Sequence, residues 1–578
     1  MNWARLIPLC ISVLSLVSCQ IQKPRIIWTE GIPSEGTACH SISVINAGKL
    51  GDDWEIWFSL IPEGLSVEES SGLGLENVMA NTNRLYPLPG ESLCDTLTLL
   101  YRTSPLRRNS WAPEGFVLRS GKKQYKLKTD YVFLVPEETL PEKKWRKPDF
   151  STPGNPLAYR GFMLDVARNF TPYKEVLRLI DTLAEYKVNY FHFHIADDEG
   201  WRLEIEGLPE LTSVGAFHAL PVKGPDGRWQ ETTALQPSYD GCADRRDRHS
   251  LANGFYTRKE FISILQHAAS KGIAVIPEID TPGHSRAAII AMEAYFRRTD
   301  DSSMRLRYED AVADYFTAQC YTDNILPVDR ESVYTFLFYV WDSILDMYRE
   351  AGVEIPAIHI GGDEVPEGAW GWSDSPESLR SAFIARMADY AYDRGVRLAG
   401  WQEMVQGIDE ESFAKVKRVL FGVNCWTGVS PEMLSDMEER GVPIIISDAC
   451  YTYADQAYSP AKTEIGHSWA AYIDEDKTYA YSPELSDAVL GIQVQLFTET
   501  LRDVQQIYYD VFPKMLGIFD LAWNRREGLF FSDIGFEADF LTLHEMIALD
   551  AGNAALGESG NSDFQPSSLA GHEAGEAP

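Results

Sequence analysis

Eight strand-like runs recur along the chain, and most are followed by a segment of helical periodicity. The runs are GFMLDV, VNYFHFHIAD, IAVIPEID, AIHIGGDE, VRLAGWQE, VLFGVNCW, VPIIISD and GIQVQLFTE. Segments such as YKEVLRLIDTLAEYK and RKEFISILQHAAS lie between them, with apolar residues repeating at helical spacing. A short apolar run suits a strand covered on both faces, and a helical crossover returns the chain parallel to the strand before it. Eight such units close into a (β/α)8 barrel, so the expected fold class is α/β, a TIM barrel. A barrel of this kind gathers the C-terminal ends of its strands on one face. Asp197, Asp280, Asp363, Glu364, Trp401, Glu403, Trp426 and Glu499 end these runs and should converge there, although they are about 300 residues apart at the extremes. The longer inserts, 198–254 and 298–328, are expected to hang over that face.

Ahead of the barrel the chain reads differently. Residues 20–135 contain DWEIWFSLI, DTLTLLYR, GFVLR and YVFLV separated by turn-rich stretches, which predicts a smaller β-rich, sandwich-like domain. Residues 136–156 are proline-rich and read as a linker, 157–548 as the catalytic barrel, and 549–578 as a low-complexity, disordered tail. The first residues, MNWARLIPLCISVLSLVSCQ, combine one arginine, about a dozen apolar residues and then small residues, the layout of a secretory signal. Leu16-Val17-Ser18-Cys19 resembles a bacterial lipoprotein cleavage box, which implies a signal peptide over 1–19 and lipidation of Cys19. The expectation is an exported, lipid-anchored protein of the periplasm, outer membrane or cell surface, with no membrane contact besides the anchor. Export permits disulfides; Cys39, Cys94, Cys242, Cys320, Cys425 and Cys450 remain beyond the leader, and Cys39 and Cys94 share the N-terminal region.

Charge and chemistry narrow the function. With 85 acidic against 52 basic residues the formal charge is −33, which repels phosphate backbones, so nucleic acid is not an expected partner. Fifteen Trp and 27 Tyr suit stacking on sugar faces. In HIGGDEVPEGAW, Asp363 and Glu364 are neighbours behind two glycines. An ordinary glycosidase places its two carboxylates across the scissile bond, roughly 5–9.5 Å apart, and adjacent residues are poorly placed for that. One of the two can donate a proton; the other needs a different job.

A resemblance supplies that job. YRGFMLDVARNF, HFHIADDEGWRLEIEGLPELTSVGA, IPEIDTPGH, HIGGDEVP and LAGWQEM, in this order and each at an expected barrel strand, resemble the β-N-acetylhexosaminidases of glycoside hydrolase family 20. The resemblance implies exo-hydrolysis of terminal, non-reducing β-linked GlcNAc or GalNAc from glycans. It also implies retention through substrate-assisted catalysis, in which the sugar's 2-acetamido oxygen attacks the anomeric carbon to form an oxazolinium ion. Glu364 is then the general acid, protonated at rest by burial and nearby carboxylates, and Asp363 holds the acetamido N–H. Asp197 and His284 match the pair that supports the acid. Arg160 matches the arginine that grips sugar hydroxyls, and Glu499 the carboxylate that accepts from the 4- and 6-hydroxyls. Tyr453 and Asp455 match the tyrosine on the acetamido oxygen and its companion. Trp401 and Trp426 match two pocket tryptophans, while Phe497 stands where the family usually has a third. No cofactor or metal is implied.

Two other readings remain open at this level. His192 and His194 share one face of a strand, as in metal-dependent amidohydrolase-type barrels, although such sites need further His or Lys ligands and the eighth run ends in Glu499. A non-catalytic, surface glycan-binding lipoprotein is the other, opposed by the presence of the acid, its neighbouring aspartate and the supporting histidine together.

Overall fold

The computed structural model describes residues 23–31, 38–50, 53–60, 66–79, 81–88, 96–103, 113–121, 123–132, 144–145, 150, 155–224, 227, 229–230, 235, 251–308, 315–371, 373, 375–460, 464–501, 503–525 and 541–542. The expected signal peptide with Cys19, the tail 549–578, Cys94 and Cys242 lie outside the described residues. Among the described residues Cys39, Cys425 and Cys450 are free thiols, and the Cys39–Cys94 pairing lies outside those residues.

The N-terminal region forms two five-stranded sheets between Arg25 and Val132. Alternating residues of the strands meet in a shared core that includes Ile26, Ile42, Val44, Ile56, Phe58, Leu85, Leu97, Leu99, Phe116 and Leu118. Within the expected linker, Lys144–Trp145 pairs antiparallel with Leu541–Thr542.

The barrel strands are β1 (Tyr159–Asp165), β2 (Tyr190–Asp197), β3 (Ala274–Thr281), β4 (Ile358–Gly361), β5 (Leu398–Trp401), β6 (Leu420–Cys425), β7 (Ile444–Ile446) and β8 (Val489–Leu496). Each pairs parallel with the next, and β1 pairs with both β2 and β8, which closes the sheet. Helices α1 (Tyr173–Glu185), α2 (Arg258–Ser270), α3 (Glu331–Ala351), α4 (Pro376–Arg394), α5 (Glu410–Lys417) and α6 (Pro431–Glu439) follow β1 to β6 in turn. Helix α1 buries Val176, Leu179, Ile180 and Leu183, one stripe at helical spacing. Helix α2 begins with a capping box between Thr257 and Glu260. From β7 to β8 the described residues carry the short helices Ala449–Thr452 and Glu475–Ala480.

The barrel interior changes character along its axis. At the N-terminal end Tyr159, Ile276, Ala357, Ala399, Phe421 and Ile445 form an apolar plug. Two residues further along the same faces come His192, Glu278, His359, Trp401 and Gln493, all buried, and beyond them His194 and Asp280. Strand alternation alone therefore stacks an apolar floor, a nitrogen-rich layer and a carboxylate-rich mouth.

The two inserts behave differently. Residues 315–326 of the second reach the mouth, as expected. The first starts there but its outer part, around Leu220 and Trp229, packs on Trp57 and Val117 of the N-terminal sheets, with the Trp57 and Trp229 rings 5.1 Å apart. These residues of the insert bracket the two regions together. At its root Arg202, fully buried, donates to the carbonyls of Val166, Ala167, Ala216, Ala252 and Gly254 at 2.6–3.2 Å. Arg202→Met should leave those carbonyls buried without that donor and cost at least about 3 kcal/mol, read as a lowered urea midpoint.

Candidate active site

The strand ends converge as the alternation predicts. Asp197 ends β2, and His284 sits just beyond β3 with its Nδ1 3.1 Å from Asp197 Oδ1. The His284 Nε2 faces Glu364 Oε2 at 3.3 Å. An imidazole thus bridges a buried aspartate and the glutamate behind β4. Both His284 and Glu364 adopt left-handed backbone, φ 49 and φ 48, an arrangement costly for non-glycine residues and typical of functional turns. Gly361 makes the turn possible: its φ is 73, and a Cβ there would lie 1.6 Å from Asp280 Oδ1.

Asp197 is held from three sides. Arg168 Nη2 lies 2.6 Å and His194 Nε2 2.8 Å from its Oδ2, in addition to His284. Burial opposes its charge, but these three groups outweigh it and hold the carboxyl well below the usual range. Asp198 and Glu199 go the other way. Burial and the Asp197 charge push Asp198 up to about 6 and Glu199 up to about 8. His194 reaches on to Glu278, whose Oε1 accepts from the Trp401 indole at 2.9 Å.

The adjacent carboxylates differ in protonation. Burial, with Glu403 and Glu364 nearby, pushes Asp363 up to about 8 against the pull of His284. For Glu364 burial also favours the neutral form, but the His284 bond and charge and a 2.7 Å hydrogen bond from Gln319 Nε2 win, holding it below the ordinary glutamate value. This corrects the expectation of a Glu364 protonated at rest: the N–H donors point at Glu364, not at Asp363. Asp363 Oδ1 is buried and has no hydrogen-bond partner among the described residues.

The walls are aromatic. Phe497 lies 5.2 Å from the Tyr453 ring, 6.3 Å from Trp401 and 5.5 Å below the Arg168 guanidinium. Trp426 donates to Glu403 at 3.2 Å, and the half-exposed Trp469 stands edge-on to both Trp426 and Tyr453 at the rim. Asp455 accepts from the Phe497 N–H at 3.4 Å, and burial pushes it up to about 6. Glu499 lies 3.7 Å from His467; burial opposes its charge, but Arg168 and His467 pull it down to about 2.

Arg160 is not in this constellation. It is the second residue of β1, at the opposite end of the barrel, where it donates to the carbonyls of Lys187 and Leu157 and stacks on Trp523. The arginine at the mouth is Arg168, three residues past the end of β1, in contact with Asp165, Asp197 and Glu199. Placement after the strand, rather than before it, is the signal that points to Arg168. Gln319, Glu278, His467 and Trp469 are further members absent from the sequence reading; of these only Glu278 falls within a strand. Ligand-type atoms of His192, Glu278 and His359 lie within 4.8 Å of one another. The Trp401 indole donates to Glu278 Oε1 and His194 Nδ1 bonds its Oε2, while His359 Nδ1 and His192 Nε2 each lie 2.9 Å from the same carboxylate.

Residues 157–526 match the glycosyl hydrolase family 20 catalytic domain. A beta-hexosaminidase of Vibrio vulnificus is 31% identical over 420 residues, 64% of this chain and 48% of that protein. One of Vibrio furnissii is 34% identical over 381 residues, 62% and 56% respectively. The chain spans about half the length of the curated relatives it matches. The crystal structure of a GH20 exo beta-N-acetylglucosaminidase from Vibrio harveyi, in complex with N-acetylglucosamine, has the same fold. Its TM-score is 0.71 at 20% identity, covering 93% of this chain and 98% of that one.

Because the Gly361 Cβ position is taken by Asp280, Gly361→Ala is expected to destabilise the protein by at least about 1–3 kcal/mol, measured by denaturant unfolding.

Proposed function

The chain belongs to glycosyl hydrolase family 20, and from that premise we propose that it removes terminal, non-reducing β-linked GlcNAc or GalNAc from glycans by a retaining mechanism. The substrate's 2-acetamido oxygen is the nucleophile, so one protein acid suffices. The observation that carries this reading is the unlike pair at residues 363 and 364. Asp363 offers a buried carboxylate oxygen with no partner among the described residues, and Glu364 sits in the grip of His284.

In the reaction the acetamido N–H donates to Asp363, which favours its ionised form and then stabilises the positive charge growing on the acetamido group. An ionised Asp363 raises its neighbour by like-charge repulsion. Substrate binding thereby moves the proton to Glu364, where the leaving oxygen needs it. Trp401, Phe497, Tyr453 and Trp426 exclude water and stack the apolar sugar face. Arg168, Asp455 and Glu499 take the outward hydroxyls. After the aglycone leaves, Glu364 is ionised again, with His284 and Gln319 supporting that form, and it activates the water that opens the oxazolinium ion.

The N-terminal twenty residues support a further part of the reading, export and anchoring through a lipid on Cys19 at the periplasm, outer membrane or cell surface. The mature protein would begin at Cys19, with the sandwich, linker and barrel following in the order of the sequence. Labelling with a palmitate analogue should mark the wild-type protein and not Cys19→Ala; equal labelling of both would remove the anchor from this account.

Glu364→Gln should abolish release of nitrophenol from the β-N-acetylglucosaminide while binding is largely kept, and Asp363→Asn should lower kcat/KM by about 10²–10⁴-fold. Wild-type enzyme should cleave the plain β-glucoside poorly. Unchanged turnover by Glu364→Gln, or efficient cleavage of the glucoside, would overturn the mechanism.

A further inference from the structure

Gln319 lies on the connection between β3 and α3, far in sequence from the acid it touches. Its amide Nε2 is 2.7 Å from Glu364 Oε2. The segment that presents it is held at many points. Tyr321 donates its hydroxyl to Glu199 at 3.1 Å and lies under the Arg286 guanidinium, 5.1 Å from the ring centroid. Asn324 donates its side-chain amide to Asp198 at 2.8 Å, and its carbonyl accepts from the Ser285 N–H, next to His284, at 3.0 Å. The Tyr315 hydroxyl accepts the N–H groups of Asn324 and Ile325 at 2.9 and 3.0 Å. Cys320, immediately after Gln319, is kept at φ 67, an unfavourable backbone for a non-glycine residue that only a well-held segment sustains. Gln319 is therefore fixed by the same carboxylates and by the same turn that fix the Asp197 and His284 pair.

Two N–H groups converge on one oxygen of the acid. His284 Nε2 lies 3.3 Å and Gln319 Nε2 2.7 Å from Glu364 Oε2. A carboxylate oxygen has two lone pairs in the plane of the group, and two donors occupy both. We propose that Gln319 is a positioning residue of the reaction: together with His284 it saturates Oε2, so that Oε1 alone carries and delivers the catalytic proton. This rests on Glu364 being the acid.

The Oε1–H bond breaks as the proton passes to the glycosidic oxygen, the C1–O bond breaks with its electron pair going to that oxygen, and the acetamido oxygen forms a new bond to C1. In the second half, Oε1 takes a proton from the water that attacks C1. An acid whose proton could settle on either oxygen would spend part of its time presenting the wrong one. The Gln319 donor also favours the ionised acid, against the Asp363 and Glu403 carboxylates and alongside His284 and Arg168, with the Tyr453 hydroxyl a further neighbour among the described residues.

Activity of the acid is lost as pH rises through its pKa, and removing a donor to the ionised form raises that pKa. Gln319→Met, close in volume but unable to donate, should move the alkaline limb of kcat/KM up by about one pH unit. It should also slow hydrolysis of an alkyl N-acetylglucosaminide more than that of a dinitrophenyl one, whose leaving group needs little protonation. Gln319→Glu, isosteric and charged, should move the limb further in the same direction. A purely structural role would lower both substrates equally and leave the limb in place, and that outcome with both variants would overturn the proposal. If Glu364→Gln is inert while the limb stays fixed in the Gln319 variants, this inference alone fails; if Glu364→Gln turns over, the assignment of the acid beneath it fails.

Discussion

The contact on which the site depends is a single imidazole placed between two carboxylates. His284 has Asp197 on one nitrogen and Glu364 on the other. Burial works against a charge on the ring, but Asp197 and Asp280 raise it well above the ordinary histidine value. A charged His284 then explains the lowered value of Glu364, and burial, with Glu403 and Glu364 nearby, explains the raised value of Asp363. The two adjacent side chains are driven in opposite directions because hydrogen bonds from His284 and Gln319 favour an ionised Glu364, whereas burial, with Glu403 and Glu364 nearby, outweighs the pull of His284 on Asp363. A pair of like groups becomes a pair of unlike tools.

Keeping so many charges out of water is costly, and the barrel meets that cost by pairing. Arg168 neutralises the Asp165, Asp197 and Glu199 side, and His194 ties Asp197 to Glu278. Asp165 in turn accepts from the N–H groups of Ala167 and Arg168 and from Thr498, which joins the turn after β1 to the end of β8. Below this network the Trp401 indole is anchored on Glu278, so one aromatic wall of the pocket is positioned by the same carboxylate that supports the acid's partner. The wall and the acid are not independently adjustable.

Much of this was legible before any coordinates. Strand alternation placed Asp197, Trp401 and Glu499 at the mouth, and the double glycine at 361 and 362 announced a turn that the structure uses, with positive φ at both. The assignment of Arg160 does not hold because the motif contains two arginines and only Arg168 follows its strand. Burial around Glu364 was also read correctly, yet it predicted the wrong protonation: the decisive donors, His284 and Gln319, come from elsewhere in the chain. The contact of Leu220 and Trp229 with the N-terminal sheets has no local mark in the sequence, since its cover lies far away in the chain.

The sequence by itself determined the order of the strands, their spacing, the residues that end them and, through five short motifs, the family. Those features are local, encoded in periodicity and in runs of a few residues. Only the tertiary structure decided which nitrogen meets which oxygen: that Arg168 and not Arg160 reaches the mouth, and that Gln319 joins His284 on one oxygen of Glu364. Protonation depends on distances of about 3 Å between groups tens of residues apart, and no local pattern in a chain carries that information.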